Sequence, residues 1–213
     1  MDRMGTVGDR DRGTRPVRAV RDPSTPHVQK FLFRLPVALA VALAAWLVLR
    51  PALDTVVCGL AEMLIRGYEQ PRVTRLMPVD HRAQVRRADL RTDSTVPTVS
   101  LTEVHFNTIV LLALFLALPR PWSRLQAERL VMGWCVLLGL QTLNLVFHVK
   151  FIYATALGDW SLQHYSVVGR NVFGFLQYFT DLPGRFASPF LIWIGFNWDH
   201  VMAMISANTG RRG

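Results

Sequence analysis

The chain has few cysteines and few charged residues for its length. Only Cys58 and Cys135 occur among 213 residues, and charged residues make up 18%. Two cysteines exclude the disulfide framework of a small secreted protein, and the charged share lies below the roughly 25% of a soluble domain. Because 51% of the residues are hydrophobic, a disordered chain is excluded as well. This composition favours an integral membrane protein.

Lysine and acidic residues are also scarce, so arginine dominates the charge. Only Lys30 and Lys150 are lysines among 24 basic residues, against 15 acidic ones and a net charge of +9. The mean hydropathy is nevertheless positive, at +0.24. Charged and apolar residues must therefore occupy separate segments, as in a membrane protein with arginine-rich flanks. We expect the lipid bilayer as one partner and no nucleic acid.

Long uncharged runs predict four transmembrane helices, since about 20 apolar residues cross the hydrocarbon core of a bilayer. Pro51 ends the first span and restarts the chain as an amphipathic helix against the bundle. Residues 31–70 therefore hold one span and this helix, and residues 104–205 hold the other three. The four runs cover residues 31–49, 104–118, 130–149 and 186–205.

The stretches outside the spans differ in character. Residues 71–103 are polar, with short alternations around Val73 and Val85 that predict two or three strands. A segment this short cannot bury a core alone, so we expect a small β-containing extracytoplasmic cap on the bundle. Residues 1–30 have no apolar periodicity and predict a disordered basic tail, and residues 206–213 form a second tail. The expected fold is mostly α, a four-helix transmembrane bundle with this cap.

The distribution of arginines predicts the orientation of the chain. Both tails are basic, and the 119–129 loop carries three arginines against one acid. The positive-inside rule therefore places the N-terminus, the C-terminus and this loop in the cytoplasm of a bacterial inner membrane. Eight arginines in residues 50–103 run against the rule. They mark the cap as a surface for an acidic partner, anionic headgroups or an acidic sorting segment.

Polar side chains at the outer ends of the second and third spans predict an outward-facing polar pocket. Gln141, Asn144 and His148 are spaced by three and four residues, so they lie on one helical stripe. Polar side chains within spans usually face the bundle interior or a cavity, although hydrogen bonds between helices are the simpler explanation of the stripe. The predicted pocket residues are Glu103, His105, Asn107, Gln141, Asn144 and His148.

The same region contains the residue types of a membrane cysteine peptidase or transpeptidase. In such a mechanism His105 or His148 takes the proton of the Cys58 thiol, and Arg66 stabilises the developing charge. A structural thiol is the simpler interpretation, because no nucleophile motif surrounds Cys58. The histidines and acids fit no metal motif and no Gly-rich phosphate loop is present, so we expect neither metal nor cofactor. A small-solute transport component is a further hypothesis, with polar groups only in the outer half.

Several short motifs resemble those of small membrane proteins associated with exosortases. His105-Phe106-Asn107 precedes an apolar run. Ala117-Leu118-Pro119 ends that run and is followed by a basic, Trp-containing loop and a long apolar helix that ends near His148. The resemblance extends over residues 31–205. The residues that carry it are His105-Phe106-Asn107, Ala117-Leu118-Pro119, Pro189, Phe190, Leu191 and Trp193.

The resemblance implies an accessory protein more than an enzyme. Exosortases are multi-spanning bacterial enzymes that process C-terminally tagged exported proteins with a Cys, Arg and His set on the outer side. Their nucleophile lies in an Ala-Cys-Ser-Gly-like motif, where this chain has Val57-Cys58-Gly59-Leu60. The implied function is to bind an exosortase-like membrane protein or its tagged substrate on the outer face.

Overall fold

The computed structural model describes residues 25–89, 96–118 and 121–202. These residues are mostly helical and include one three-stranded sheet, which confirms the expectation of a mostly α chain with a small β-containing part. The tail predicted at residues 206–213 lies outside this description, as do residues 1–24 of the tail predicted at residues 1–30. The helices are α1 (Thr25–Tyr68), α2 (Leu101–His105), α3 (Asn107–Leu116), α4 (Arg124–Thr155), α5 (Asp159–His164), α6 (Val167–Phe179) and α7 (Arg185–Phe196), with a π-helical turn at Thr180–Gly184. The strands are β1 (Thr74–Val79), β2 (Arg82–Arg87) and β3 (Thr98–Ser100).

The first helix is one continuous element, so the expected break at Pro51 is wrong. α1 runs for 44 residues and passes through both Pro36 and Pro51. It also begins at Thr25, which makes residues 25–30 helical although they were predicted as part of a disordered tail. Apolar contacts of α1 with α3 extend back to Phe31 and Leu35 at this end of the helix.

Contacts on both sides of Pro51 explain why the helix continues. A proline inside a helix removes one backbone hydrogen bond and costs about 3 kcal/mol. Trp46 lies before Pro51 and Asp54 after it, yet both side chains bind the same residue of α2, His105. This shared partner holds the two halves of α1 on one axis. A tertiary contact therefore overrides the local signal of the proline.

α1 is about twice as long as a membrane crossing requires. Its 44 residues extend about 66 Å, against about 30 Å for the hydrocarbon core. In the described part of the chain, α1 and α4 are the two helices long and apolar enough to cross a membrane. The stretch Leu35–Leu49 is uncharged, whereas Asp54, Glu62 and Arg66 follow Pro51. The C-terminal half of α1 packs on the sheet, with Val57, Ala61 and Ile65 in one buried cluster with the strands.

Each of the other two predicted spans is interrupted by a turn in the structure. α2 and α3 together cover residues 101–116 except Phe106, and α7 ends at Phe196, with residues 198–202 helical again after a turn at Asn197. Neither α3 nor α7 has the length of a complete crossing, so the count of four spans stays a prediction. The two helices pack with α4 around a buried apolar cluster. Its members include Leu111, Leu114, Phe115, Leu118, Leu137, Ile192 and Trp193.

The strands form an antiparallel sheet in the order β1-β2-β3. β1 and β2 are joined by Asp80 and His81, which both have positive φ angles, of 50° and 60°. Two consecutive positive φ angles are the mark of a type I′ hairpin turn. Alternate side chains of the strands point inward and pack between α1 and α4. These inward residues are Leu76, Ala83, Val85 and Val99.

Two carboxylates accept hydrogen bonds from the main chain of the edge strand β1. They belong to Glu62 in α1 and to Glu69, which follows directly after α1. Glu62 Oε2 accepts a hydrogen bond from the Leu76 main-chain nitrogen at 2.9 Å. Glu69 Oε2 accepts one from the Thr74 nitrogen at 3.1 Å. An edge strand otherwise presents unpaired N–H groups on its outer side. The sheet is therefore bound to the helix through its main chain as well as by packing.

Arg87, at the end of β2, joins the sheet to α4 and α5. Its guanidinium lies 4.3 Å from the ring centroid of Trp160 and 4.8 Å from that of Tyr153. The side chain is 9% exposed and pairs with Glu69 at 3.3 Å and Asp89 at 2.7 Å. The hydrogen bond from Arg87 lowers the pKa of Asp89 below its ordinary value. One buried cation thus connects the sheet with two helices.

Replacing Arg87 by Leu is expected to lower the free energy of unfolding by about 3 kcal/mol, because it leaves the Glu69 carboxylate buried without its cation. Thermal unfolding of the detergent-solubilised protein, followed by tryptophan fluorescence, measures this change. Arg86→Leu on the exposed face of the same strand is the control. Arg86 bonds Gln84, and its loss is expected to change stability by less than about 0.5 kcal/mol. Equal losses in the two variants would contradict the anchoring role.

Candidate functional site

A buried carboxylate, Asp54 on α1, lies at the centre of a hydrogen-bonded network. Its side chain is 6% exposed, and its two oxygens bind two different histidines. His105 Nε2 lies 2.7 Å from Oδ1, and His81 Nδ1 lies 2.6 Å from Oδ2. A buried charge is costly unless it is paired and hydrogen-bonded. The two histidines meet this requirement, and they connect α1 to α2 and to the β1–β2 turn.

The protonation of His105 follows from its partners. Trp46 Nε1 lies 3.1 Å from His105 Nδ1, and an indole nitrogen can only donate. Nδ1 therefore accepts this bond, so Nε2 carries the ring proton and donates it to Asp54. His105 is a neutral, fully buried imidazole. With both nitrogens occupied, it has none free to act as a base.

His81 reaches Asp54 from a backbone conformation that few residues other than glycine adopt. Its φ angle is 60°, in the left-handed region that costs of order 1 kcal/mol for such a residue. The imidazole is 41% exposed and links the buried carboxylate to the surface of the sheet. In the described part of the chain no group of three or more His, Cys, Asp or Glu side chains could hold a metal ion.

A second group of polar residues lies where α2, α4 and α7 meet, and we name Glu103, Asn144, His148, Asp181 and Arg185 the α4–α7 cluster. Arg185 binds Asp181 in the π-helical turn and lies 3.7 Å from Glu103 Oε2. His148 Nε2 lies 4.0 Å from Asp181 Oδ1, and its Nδ1 donates to the main-chain oxygen of Asn144 at 3.0 Å. Two acids therefore surround one arginine.

The third polar residue of the stripe, Gln141, binds α3. Gln141 Nε2 donates to Asn107 Oδ1 at 2.7 Å and to Thr108 Oγ1 at 2.9 Å. Asn144, one turn along α4, is buried, and neither polar atom of its side chain has a hydrogen-bond partner in the described residues. Buried polar side chains normally have partners. Gln141 thus joins α4 to α3, whereas the Asn144 side chain forms no such bond.

The structure divides the predicted polar pocket into two sites. Glu103, Asn144 and His148 share the α4–α7 cluster, with Asn107 and Gln141 bonded beside it, whereas His105 binds α1. Sequence reasoning missed the partners on other segments. For Asp54, an acid within an apolar helix was a usable signal, but its histidines lie 27 and 51 residues away. The missed residues are Trp46, Asp54, His81, Asp181 and Arg185.

Cys58 lies in the apolar cluster between α1, the sheet and α4, where it is buried. Its thiol has no hydrogen bond to another described residue. Arg66 pairs with Glu62 at 3.0 Å, one turn along α1. Of the two histidines considered with Cys58, His105 has both nitrogens occupied and His148 belongs to the α4–α7 cluster. Among the described residues, no imidazole forms a hydrogen bond with the thiol.

The face of the sheet that points away from the helices, which we call the outer face of the sheet, is basic. Arg75 on β1 and Arg86 on β2 are directly opposite in the antiparallel register, and both are exposed. Arg82, at the start of β2, is exposed as well. Like charges directly opposite each other destabilise an antiparallel pair. The face away from the helices thus concentrates positive charge.

The fold and these sites define a mostly helical membrane protein with a small sheet packed on its helices. A protein-family model described as exosortase H-associated membrane protein matches residues 25–200. The chain belongs to this family, as the resemblance of its motifs implied. No curated protein and no solved structure matches the chain.

Replacing Asp54 by Asn is expected to lower the free energy of unfolding by about 2 to 3 kcal/mol, because an amide nitrogen cannot accept a proton from a second histidine. Thermal unfolding in detergent measures the loss, and limited proteolysis reports whether the β1–β2 turn becomes accessible. Asp159→Asn, at an exposed position in the first turn of α5, is the matched control. A loss no larger than that of the control would argue against the network.

Proposed function

We propose that the chain is an accessory protein of an exosortase H sorting system and binds the exosortase or its tagged substrate on the outer face. The family to which it belongs is described as associated with this enzyme. The burial of Cys58, whose thiol has no hydrogen bond to an imidazole in the described part of the chain, supports a binding role over a peptidase role. In this proposal the protein acts by positioning another chain, and the chemistry belongs to the exosortase.

The observation that carries the proposal is the basic outer face of the sheet. Arg75 and Arg86 repel each other in the free protein, and an acidic partner segment relieves this repulsion. Main-chain bonds from Leu76 to Glu62 and from Thr74 to Glu69 hold the sheet on α1. A face held in this way presents its charges in one arrangement, which favours recognition of one partner. The partner surface is therefore expected to be acidic.

We further propose that the chain crosses a bacterial inner membrane four times, with both termini in the cytoplasm. α1 and α4 supply two crossings, and α2 with α3, and α7 with the residues after it, supply the other two. The basic 119–129 loop then lies in the cytoplasm, as the positive-inside rule requires. The sheet and the α4–α7 cluster then lie on the outer side.

Reporter fusions test this orientation. Alkaline phosphatase, which is active only in the periplasm, is expected to be inactive when fused after Arg212 and active when inserted after Asp89. A cytoplasmic fluorescent reporter at the same two positions is expected to give the opposite result. Periplasmic activity of the fusion after Arg212 would contradict the proposed orientation.

A processing assay in cells separates the accessory role from the thiol mechanism. The double variant Arg75→Gln/Arg86→Gln is expected to reduce processing of a tagged protein and co-purification of the exosortase several-fold, because it removes surface charge and leaves the core intact. Cys58→Ala is expected to process normally. Arg124→Gln, which removes an arginine from an exposed ion pair with Glu128, is the control. Loss of processing in Cys58→Ala alone would favour a cysteine peptidase.

A further inference from the structure

We propose that two copies of the chain associate side by side in the membrane through an exposed apolar row on α6. This row, which we call the α6 seam, continues through the π-helical turn to the start of α7. It consists of Val168, Val172, Phe175, Phe179, Leu182 and Phe186. The proposal uses the proposed crossing of α4 but does not depend on the accessory role.

The α6 seam lies on one long helical rod that runs antiparallel to α4. The chain is helical without a break from Val167 to Phe196, through α6, the π-helical turn and α7. Later residues of this rod meet earlier residues of α4. The pairs that lie together are Gly174 with Phe151, Asp181 with His148, and Ile192 with Gly133. One side of the rod therefore packs on α4, and the opposite side is open.

The rod carries its polar side chains on the covered side and its apolar side chains on the open side. The six side chains of the α6 seam are 47% to 70% exposed. A surface helix of a soluble protein has the opposite distribution. The open side is therefore suited to lipid or to another protein. The polar residues at partly buried positions are Arg170, Gln177, Thr180, Asp181 and Arg185.

The outer end of the α6 seam extends past the predicted hydrocarbon core. The uncharged run of α4 ends at Val149, and Lys150 follows. Gly174 lies against the ring of Phe151, where a Cβ would be 3.2 Å from a ring carbon. Val168 precedes Gly174 by six residues, which places it about 9 Å farther out. An apolar surface outside the hydrocarbon core marks an interaction site, so lipid alone does not account for the seam.

The spacing of the α6 seam fits a second helix. Its residues are separated alternately by four and three positions, which is the repeat at which two helices pack against each other. Two copies inserted in the same direction place each seam residue next to its own counterpart across a two-fold axis. No seam residue is charged, so this symmetric contact brings no like charges together. A second copy therefore has the apolar surface that the seam requires.

The exposed area is sufficient for a dimer interface. Val167 and Tyr178 flank the α6 seam and are exposed as well. Eight side chains with about 100 Å² uncovered on each offer roughly 800 Å² per copy, which is the area that one partner contributes to a standard interface. Four of the eight are aromatic, and aromatic residues are enriched at interfaces.

The mass of the purified full chain in a maltoside detergent tests the association. Light scattering is expected to give a protein mass twice the 24.1 kDa of one chain. Phe175→Gln/Phe179→Gln is expected to weaken dimerisation about tenfold, which corresponds to about 1.4 kcal/mol, because it places amides against apolar side chains. Phe33→Gln/Val37→Gln, an exposed apolar pair with the same spacing on α1, is the matched control and keeps the dimer.

Disulfide cross-linking in native membranes tests which surface forms the contact. The background variant is Cys58→Ala/Cys135→Ala, which removes both native thiols. In this background Phe175→Cys is expected to give a cross-linked dimer on mild oxidation, because the two-fold axis brings the two thiols together. Val136→Cys, on an exposed position of α4, is the control and is expected to give none.

A chain that is monomeric in detergent and gives no cross-link in membranes would overturn the proposal and assign the α6 seam to lipid or to the exosortase. Equal cross-linking of Phe175→Cys and Val136→Cys, or equal loss of the dimer in the Phe33→Gln/Val37→Gln control, would overturn it as well. A monomeric chain that still co-purifies with the exosortase leaves the accessory role intact, so the two proposals fail separately.

Discussion

Much of the arrangement of this protein depends on how a buried carboxylate is kept hydrogen-bonded. Asp54 lies on the longest helix and requires two donors because its charge is removed from water. His105 and His81 supply them, one from α2 and one from the hairpin turn. The same His105 accepts a bond from Trp46, so α1 remains continuous across Pro51. The Asp54 side chain thus joins α1 to α2 and to the sheet.

Arginine has three distinct uses in the chain. Arg87 is buried against aromatic rings and two acids, where it joins the sheet to the helices. Arg185 is matched by two acids in the α4–α7 cluster. Arg75 and Arg86 lie on the outer face of the sheet, where they raise the local positive charge. The excess of arginine therefore reflects local environments that differ in burial and in partners, and only the exposed group is suited to recognition of an acidic surface.

The helices and strands were predictable to the extent that their signals were local. The uncharged run around residues 130–149 predicted α4, and the alternations near Val73 and Val85 predicted β1 and β2, because burial of one face leaves a periodic pattern. The break expected at Pro51 was wrong because the contacts that offset it come from a residue about fifty positions away. The predicted pocket included Asn107, which bonds Gln141, but it did not include Asp181, which faces His148.

The sequence by itself determined the class of protein, the positions of the apolar runs and the family. Each of these depends on composition, periodicity or short motifs, which neighbouring residues carry. Only the tertiary structure decided that His105 binds Asp54 instead of sharing a pocket with His148, and that Arg185 meets Glu103. Side chains far apart in sequence meet according to how helices pack, and no local pattern records that packing. For the same reason the structure, and not the sequence, showed that Cys58 is buried in the apolar cluster between α1, the sheet and α4.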